Sequence, residues 1–279
     1  MTRNLLFLCA LIITLHPCKS HADEPLRYLS AALILWDSIA PVSEHTLFQK
    51  IHFQQVEGHN APLARYQPNG KGGTIQIGQN FRDYRRDYVY LVSNQDMSNK
   101  PDFDQYMTVL TTLSLANESA HYLQDKNGSL HDFQEFYDHG KTTESCALYS
   151  LQQYVSDVVM LEKAVRIERY FLGTGSVKGL NALRVALEKN DLRDEFEDFR
   201  EGLKTRDTIL LNTILKKMRN KREDANMAGL KFCASHGDAL LDKSIIDRAT
   251  EPARDALTRI TKPMAQKPTK DMPLPGYNQ

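Results

Sequence analysis

Between Asp102 and the pair Asn127-Gly128, the apolar residues Tyr106, Val109, Leu110, Leu113, Ala116, Ala120 and Leu123 recur at intervals of three and four. That spacing puts them on one side of an α-helix, with Asp102 able to cap its start and the Asn-Gly pair able to stop it. A helix of this length must bury its apolar side against other elements, so it constrains what surrounds it as well. Asn117, Glu118 and His121 lie on the same helix, with Glu118 and His121 three apart and Asn117 and His121 four apart. Such spacings place all three in one sector, and this is the first candidate site.

The flanking sequence supplies packing partners. Leu29, Leu33, Trp36 and Ile39 predict a helix from Pro25 to Ile39, ended by Pro41. Ala64-Arg65-Tyr66 and Thr74-Ile75-Gln76-Ile77 flank the turn-rich Pro68-Asn69-Gly70-Lys71-Gly72-Gly73, which predicts a β-hairpin. His45 to Val56 alternates weakly, and Tyr88 to Val92 reads either as a strand or as the start of a helix. Thr142 or Thr143 caps a long helix from Glu144 to about Phe171, broken by Gly173, Gly175 and Gly179; Leu180–Glu188, Leu192–Met218 and Ala225–Ile260 follow as helical stretches. The predicted class is α+β and α-rich. Charge runs such as Arg193-Asp194-Glu195 and Lys216-Lys217 read as solvated helix faces.

Basic Arg3, the apolar block Leu5 to Leu15 and the small-x-small triplet Ser20-His21-Ala22 have the layout of a secretory signal peptide over residues 1–22. Cleavage near Ala22 makes the protein exported, periplasmic or secreted, with no transmembrane segment expected. Leu15-His16-Pro17-Cys18 offers lipidation at Cys18 as an alternative, although Pro17 is awkward before a cleaved bond. Removing the leader leaves 33 basic and 35 acidic side chains, a balance that argues against a nucleic-acid partner. Of the cysteines only Cys146 and Cys233 remain; in an oxidising compartment they can form one disulfide, and two buried thiols are the alternative. The prolines at 263, 268, 273 and 275 make 261–279 a Pro-rich, disordered tail.

The candidate helix carries the layout of a zinc-peptidase helix with one residue changed. In His-Glu-x-x-His, two imidazoles one turn apart grip a metal while the Glu between them handles a proton. Here Asn117 stands at the first His, Glu118 at the Glu and His121 at the second His. Glu144 lies 23 residues beyond His121 and opens the next helix in Glu144-Ser145-Cys146-Ala147. With Gln124-Asp125 trailing the first motif, this part of the chain resembles the gluzincin-type bacterial metallopeptidases, which carry His-Glu-Leu-x-His-Ala-x-Gln-Asp on one helix and Glu-x-x-Ala on the next. The resemblance covers about residues 45–165.

It implies a zincin-like domain over 23–172, built from the N-terminal helix, the hairpin, the motif helix and the Glu helix, with a helical extension over 173–260. It also implies Glu118 as general base, His121 and Glu144 as metal ligands, and Asn117 as a degenerate ligand position. An amide oxygen is a poor zinc donor, and without zinc a water keeps a pKa far too high for Glu118 to make hydroxide from it. The expectation is an inactive, metallopeptidase-like pseudoenzyme with no cofactor that keeps a cleft for a peptide or protein. One alternative is an active zinc peptidase, with His131 or His139 as substitute ligand, or with a harder metal such as calcium or manganese that accepts Asn117. Another is a non-catalytic periplasmic interaction or scaffold protein, in which Glu118, His121 and Glu144 form a buried hydrogen-bonded cluster fastening two helices. Ser114, Ser119 and Ser145 lack the elbow of a serine hydrolase, Cys146 reads as core or disulfide rather than nucleophile, and Gly70-Lys71-Gly72-Gly73 lacks the residues of a phosphate loop.

Overall fold

A computed structural model describes residues 24–56, 63–68, 72–78, 81–93, 100–131, 143–229 and 241–261. The predicted leader, Cys233, His139 and the Pro-rich tail lie outside the described residues. The chain is α-rich α+β: helix α1 (Glu24–Ile39), strands β1 (His52–Val56), β2 (Ala64–Gln67) and β3 (Thr74–Gly78), then helices α2 (Phe81–Leu91), α3 (Phe103–Lys126), α4 (Thr143–Thr174), α5 (Val177–Lys189), α6 (Arg193–Thr205), α7 (Thr208–Gly229) and α8 (Lys243–Thr261). Tyr88 to Val92 resolves as the end of α2 and the residue after it. The 192–218 stretch breaks at Arg206, which adopts a left-handed conformation, and Asp207 then caps α7 by accepting the N–H groups of Ile209 and Leu210, each at 2.9 Å.

The sheet order is β1-β3-β2, with β1 parallel and β2 antiparallel to β3. Central β3 buries both faces, which suits Thr-Ile-Gln-Ile. The predicted hairpin is β2–β3, and Gly73 in its turn has φ +82; a Cβ there would overlap the Tyr66 hydroxyl. Only glycine satisfies both conditions.

Asp102 caps α3 by accepting the Gln105 N–H at 2.8 Å, and α3 is buried along most of its length between α1, β2, α4, α5 and α8. One core runs from Trp36 on α1 through Leu113 on α3 and Val158 on α4 to Phe196 on α6 and Ile260 on α8, so the helices after residue 172 share their core with those before it. A smaller cluster beneath the sheet joins Ile75 and Ile77 to Leu115 and Tyr122 of α3.

Not every charged residue is solvated. Glu195 is 4 % exposed and receives Lys221 Nζ at 3.2 Å, so the Arg193-Asp194-Glu195 run is only partly a solvated face. Asp157 of α4, also buried, holds Arg222 of α7 in a two-pronged pair at 2.6 and 2.7 Å. Deeper still, Glu162 and Lys163 are each 1 % exposed. Lys163 Nζ lies 2.9 Å from Glu162, 2.5 Å from Glu44 and 4.6 Å from the centre of the Trp36 ring, while Arg166 pairs with Glu162 and Arg259 reaches Glu44 at 3.2 Å. Burial would raise the Glu162 carboxyl, but the charges of Lys163, Arg166 and Arg259 overcome it and hold the group below its ordinary range.

Helix α8 contains Pro252, which has no N–H to give to the Arg248 carbonyl one turn earlier. Asn127, just past α3, donates to that carbonyl at 2.7 Å, and Gln124 Nε2 lies 3.4 Å from the next one, Ala249. Asn127 at the end of α3 thus supplies the one donor that the proline removes. Asn127→Ala should lower the unfolding free energy by about 1–3 kcal/mol in urea titration, the cost of an unsatisfied carbonyl. In a Pro252→Ala background, which restores a helical N–H, the loss should shrink; equal losses in both backgrounds would show the two residues to be uncoupled.

Candidate functional site

The motif residues sit in the second half of α3, where Glu118 is buried and Asn117 and His121 are half-buried. Glu118 turns toward the sheet. It is 7 % exposed, and its Oε2 accepts the backbone N–H of Tyr66 at 2.5 Å. Because Gly78 donates to Leu63 across the strand pair, Arg65 faces β3 and Tyr66 presents its N–H away from it. Glu118 thus satisfies an outward donor on the sheet's edge strand. Seven residues on, Asp125 accepts the Tyr66 hydroxyl at 2.6 Å, and between them Tyr122 meets the Tyr66 ring edge-to-face at 6.1 Å. Tyr66 is therefore held to α3 at three points.

Asn117 turns another way. Its Nδ2 donates to Ser156 Oγ at 2.9 Å and lies 3.6 Å from Met160 Sδ, both on α4. The sector predicted to gather Asn117, Glu118 and His121 is thus divided: successive helical residues are about 100° apart, and α4 and β2 take one each. Among the described residues His121 bonds to neither strand nor α4; its Nδ1 lies 2.9 Å from Gln124 Oε1 on its own helix. Gln124 Nε2 points to the carbonyls of Gln152 and Ala249, so Oε1 is the acceptor and His121 Nδ1 carries the proton. Nε2 of His121 is then an unprotonated lone pair.

Burial sets the charges here. Desolvation raises the Glu118 carboxyl from its ordinary value near 4.5 to about 7, against the opposing pull of the Tyr66 N–H and the Arg65 charge. Burial also lowers the His121 imidazole, with the Gln124 bond opposing it, so this ring is neutral at pH 7.

Glu144 opens α4, which packs along α3, but its side chain lies outside the described residues. His131 is exposed beyond the α3 end. Cys146 is buried at 3 % and disulfide-bonded, and its proposed partner Cys233 lies outside the described residues. Among the described residues no group of three His, Cys, Asp or Glu side chains is arranged to hold a metal ion. A hydrolytic zinc centre needs three strong donors and a base free to reach water. Asn117 offers an amide engaged with α4, and Glu118 is engaged with β2, so these two residues do not fit one.

No family model matches the chain, and no curated protein or solved structure matches it either. The resemblance to gluzincin-type metallopeptidases accordingly stands on the motif residues alone. Among the described residues no helix is long and apolar enough to cross a membrane.

The fastening roles of Tyr66, Gln124, Asn127 and Gln152 were not read from the sequence. Pro252 gave a usable signal for one of them, since a proline inside a helical pattern leaves a carbonyl needing a donor. Gln124, which is fully buried, and Gln152, whose Nε2 donates to the Ser129 carbonyl at 3.0 Å, gave none.

Proposed function

We propose that this protein is an exported, zincin-like pseudoenzyme that works as a non-hydrolytic interaction or scaffold protein. The observation that carries the reading is the commitment of Glu118 to the Tyr66 N–H. The residue at the general-base position closes an edge strand onto the motif helix, at a donor that an added peptide strand would otherwise use. Asn117, at the first-ligand position, fastens the same helix to α4. Together they join the motif helix to the sheet and α4, while Gln124 and Asn127 near its end join it to α8.

A second reading, an active metallopeptidase, is favoured by one detail. A metal-binding histidine has one ring nitrogen oriented by a hydrogen bond and the other bare, and the His121–Gln124 pair has that form.

Metal analysis and peptidase assays separate the readings. The purified protein should carry no stoichiometric zinc and cleave peptides no faster than its Glu118→Gln variant. Asn117→His should also fail to recruit zinc, and should cost about 1–2 kcal/mol because it removes the Ser156 bond and enlarges a packed position. One zinc per chain, with hydrolysis abolished by Glu118→Gln, would overturn the pseudoenzyme reading.

A further inference from the structure

We infer that one end of the helical bundle, formed by the α4–α5 and α6–α7 corners, is a docking surface for an anionic lipid interface. The two corners lie at the same end. Glu168 near the end of α4 pairs with Arg200 near the end of α6 at 2.8 Å, and Glu195 at the start of α6 is reached at 3.2 Å by Lys221, the neighbour of the Arg222 that pairs with Asp157 of α4, so α4 and α6 run in the same direction. Asp157, earlier on α4, pairs with Arg222, late on α7, so α7 runs back the other way and starts beside the end of α4. Residues 173–176 and 206–207 therefore turn at a common end.

This end presents Leu172, Val177 and Ile209, which are 60, 55 and 79 % exposed. They are three of the seven large apolar side chains exposed among the described residues, and no hydrogen-bonding demand explains their position. Lys178 and Arg206 stand beside them, exposed and with no ion pair among the described residues. Lys204 reaches Glu201 only at 3.7 Å with both groups exposed, and Asp207 is occupied in capping α7. Lys178, Lys204 and Arg206 outnumber Glu201 and Asp207, whose carboxylate keeps its charge while capping, so the local balance is positive by one on a chain whose total is neutral. Aliphatic side chains projecting from tight corners, bordered by cations without partners, suit shallow insertion among acyl chains while lysine and arginine meet lipid phosphates. A protein partner with an apolar, acidic face would share part of this chemistry, and so would a second copy; the surround of cations favours the lipid headgroup.

The test uses the full chain carrying Leu172→Trp. The native tryptophan, Trp36, is 1 % exposed and reports nothing from the surface. On vesicles of phosphatidylglycerol and phosphatidylcholine with brominated acyl chains, the introduced indole should shift to the blue and be quenched. Everything outside the substituted corners is the same in all variants, so a difference between them reads the corner itself. Adding Lys178→Glu and Arg206→Glu, or Val177→Ser and Ile209→Ser, should weaken the vesicle titration on the order of tenfold or more. Absence of a shift overturns the proposal, as does equal quenching on pure phosphatidylcholine or an unchanged titration in the charge-reversed variant. A blue shift that grows with protein concentration without vesicles assigns this end to a second copy and overturns the lipid assignment.

Discussion

Glu162→Gln lowers the unfolding free energy by about 3–5 kcal/mol, the largest loss expected from any single polar substitution in this chain. The carboxylate lies among Lys163, Arg166 and Arg259, with Lys163 1 % and Arg166 7 % exposed. Glutamine keeps the shape and removes the charge, leaving buried cations with only Glu44 to balance them. Lys163 cannot turn to water, because its ammonium is enclosed between Glu44, Glu162 and the Trp36 face. Urea unfolding at pH 7 measures the loss, and Glu201→Gln, which touches only the exposed pair with Lys204, serves as the control with an expected change under about 1 kcal/mol. The pH dependence has a definite sign. A carboxyl held below its ordinary range contributes stability above about pH 4.5 that is lost as pH falls through the folded value, and the variant lacks that acid limb. A loss no larger than that of the surface control would mean that the cluster is solvated and does not anchor α1, α4 and α8.

The second large effect has the opposite sign. Glu118→Gln should stabilise the protein at pH 8 and leave it nearly unchanged at pH 4. The Glu118 carboxyl titrates near 4.5 when unfolded and at about 7 when folded, so the folded state holds the extra proton between those values. Stability contributed by this group therefore falls as pH rises from 4.5 to 7, by about 3 kcal/mol at about 1.4 kcal/mol per pH unit. Glutamine resembles the protonated acid: its carbonyl accepts the Tyr66 N–H, and its amide puts a donor where the acid has its hydroxyl. Thermal unfolding followed from pH 4 to pH 8 should show a falling limb in the native chain and a flatter one in the variant. The gain at pH 8 corresponds to about 6–12 °C in Tm. A variant that is less stable at every pH would show that Glu118 is held charged by groups other than Tyr66 and Arg65. The same variant separates the two functional readings through activity alone, because only a catalytic base is replaced with loss of hydrolysis, while the stability gain follows from the raised pKa under either reading.

Much of the architecture was legible because it depends on short-range pattern. Asp102 is a capping residue placed before a run with helical period, and α3 begins there. Pro68 to Gly73 between two alternating segments demanded a turn, and Gly73 sits where only glycine clears Tyr66. The α6–α7 break went unread because Arg206 carries none of the usual marks of a left-handed residue, although Asp207 after it is a capping residue. Glu162-Lys163 lies between Val158-Val159-Met160-Leu161 and Ala164-Val165, a context that leaves no polar face, yet its partners Glu44 and Arg259 are far away in sequence and only the fold brings them together.

The candidate site divides along the same line. Sequence by itself determined that Asn117, Glu118 and His121 share a helix with an apolar side and that Glu144 lies at the start of the next helix, because periodicity and capping are properties of neighbouring residues. What each side chain faces was decided only by tertiary structure. Residues 117 and 118 are about 100° apart on the helix, and whether that angle opens onto one cleft or onto two different neighbours depends on where α4 and the β2 edge come to rest. Here α4 takes the Asn117 amide and the edge strand takes the Glu118 carboxylate. Desolvation then raises the acid's pKa, and this too is set by surroundings assembled from residues as distant in sequence as Tyr66 and Ser156.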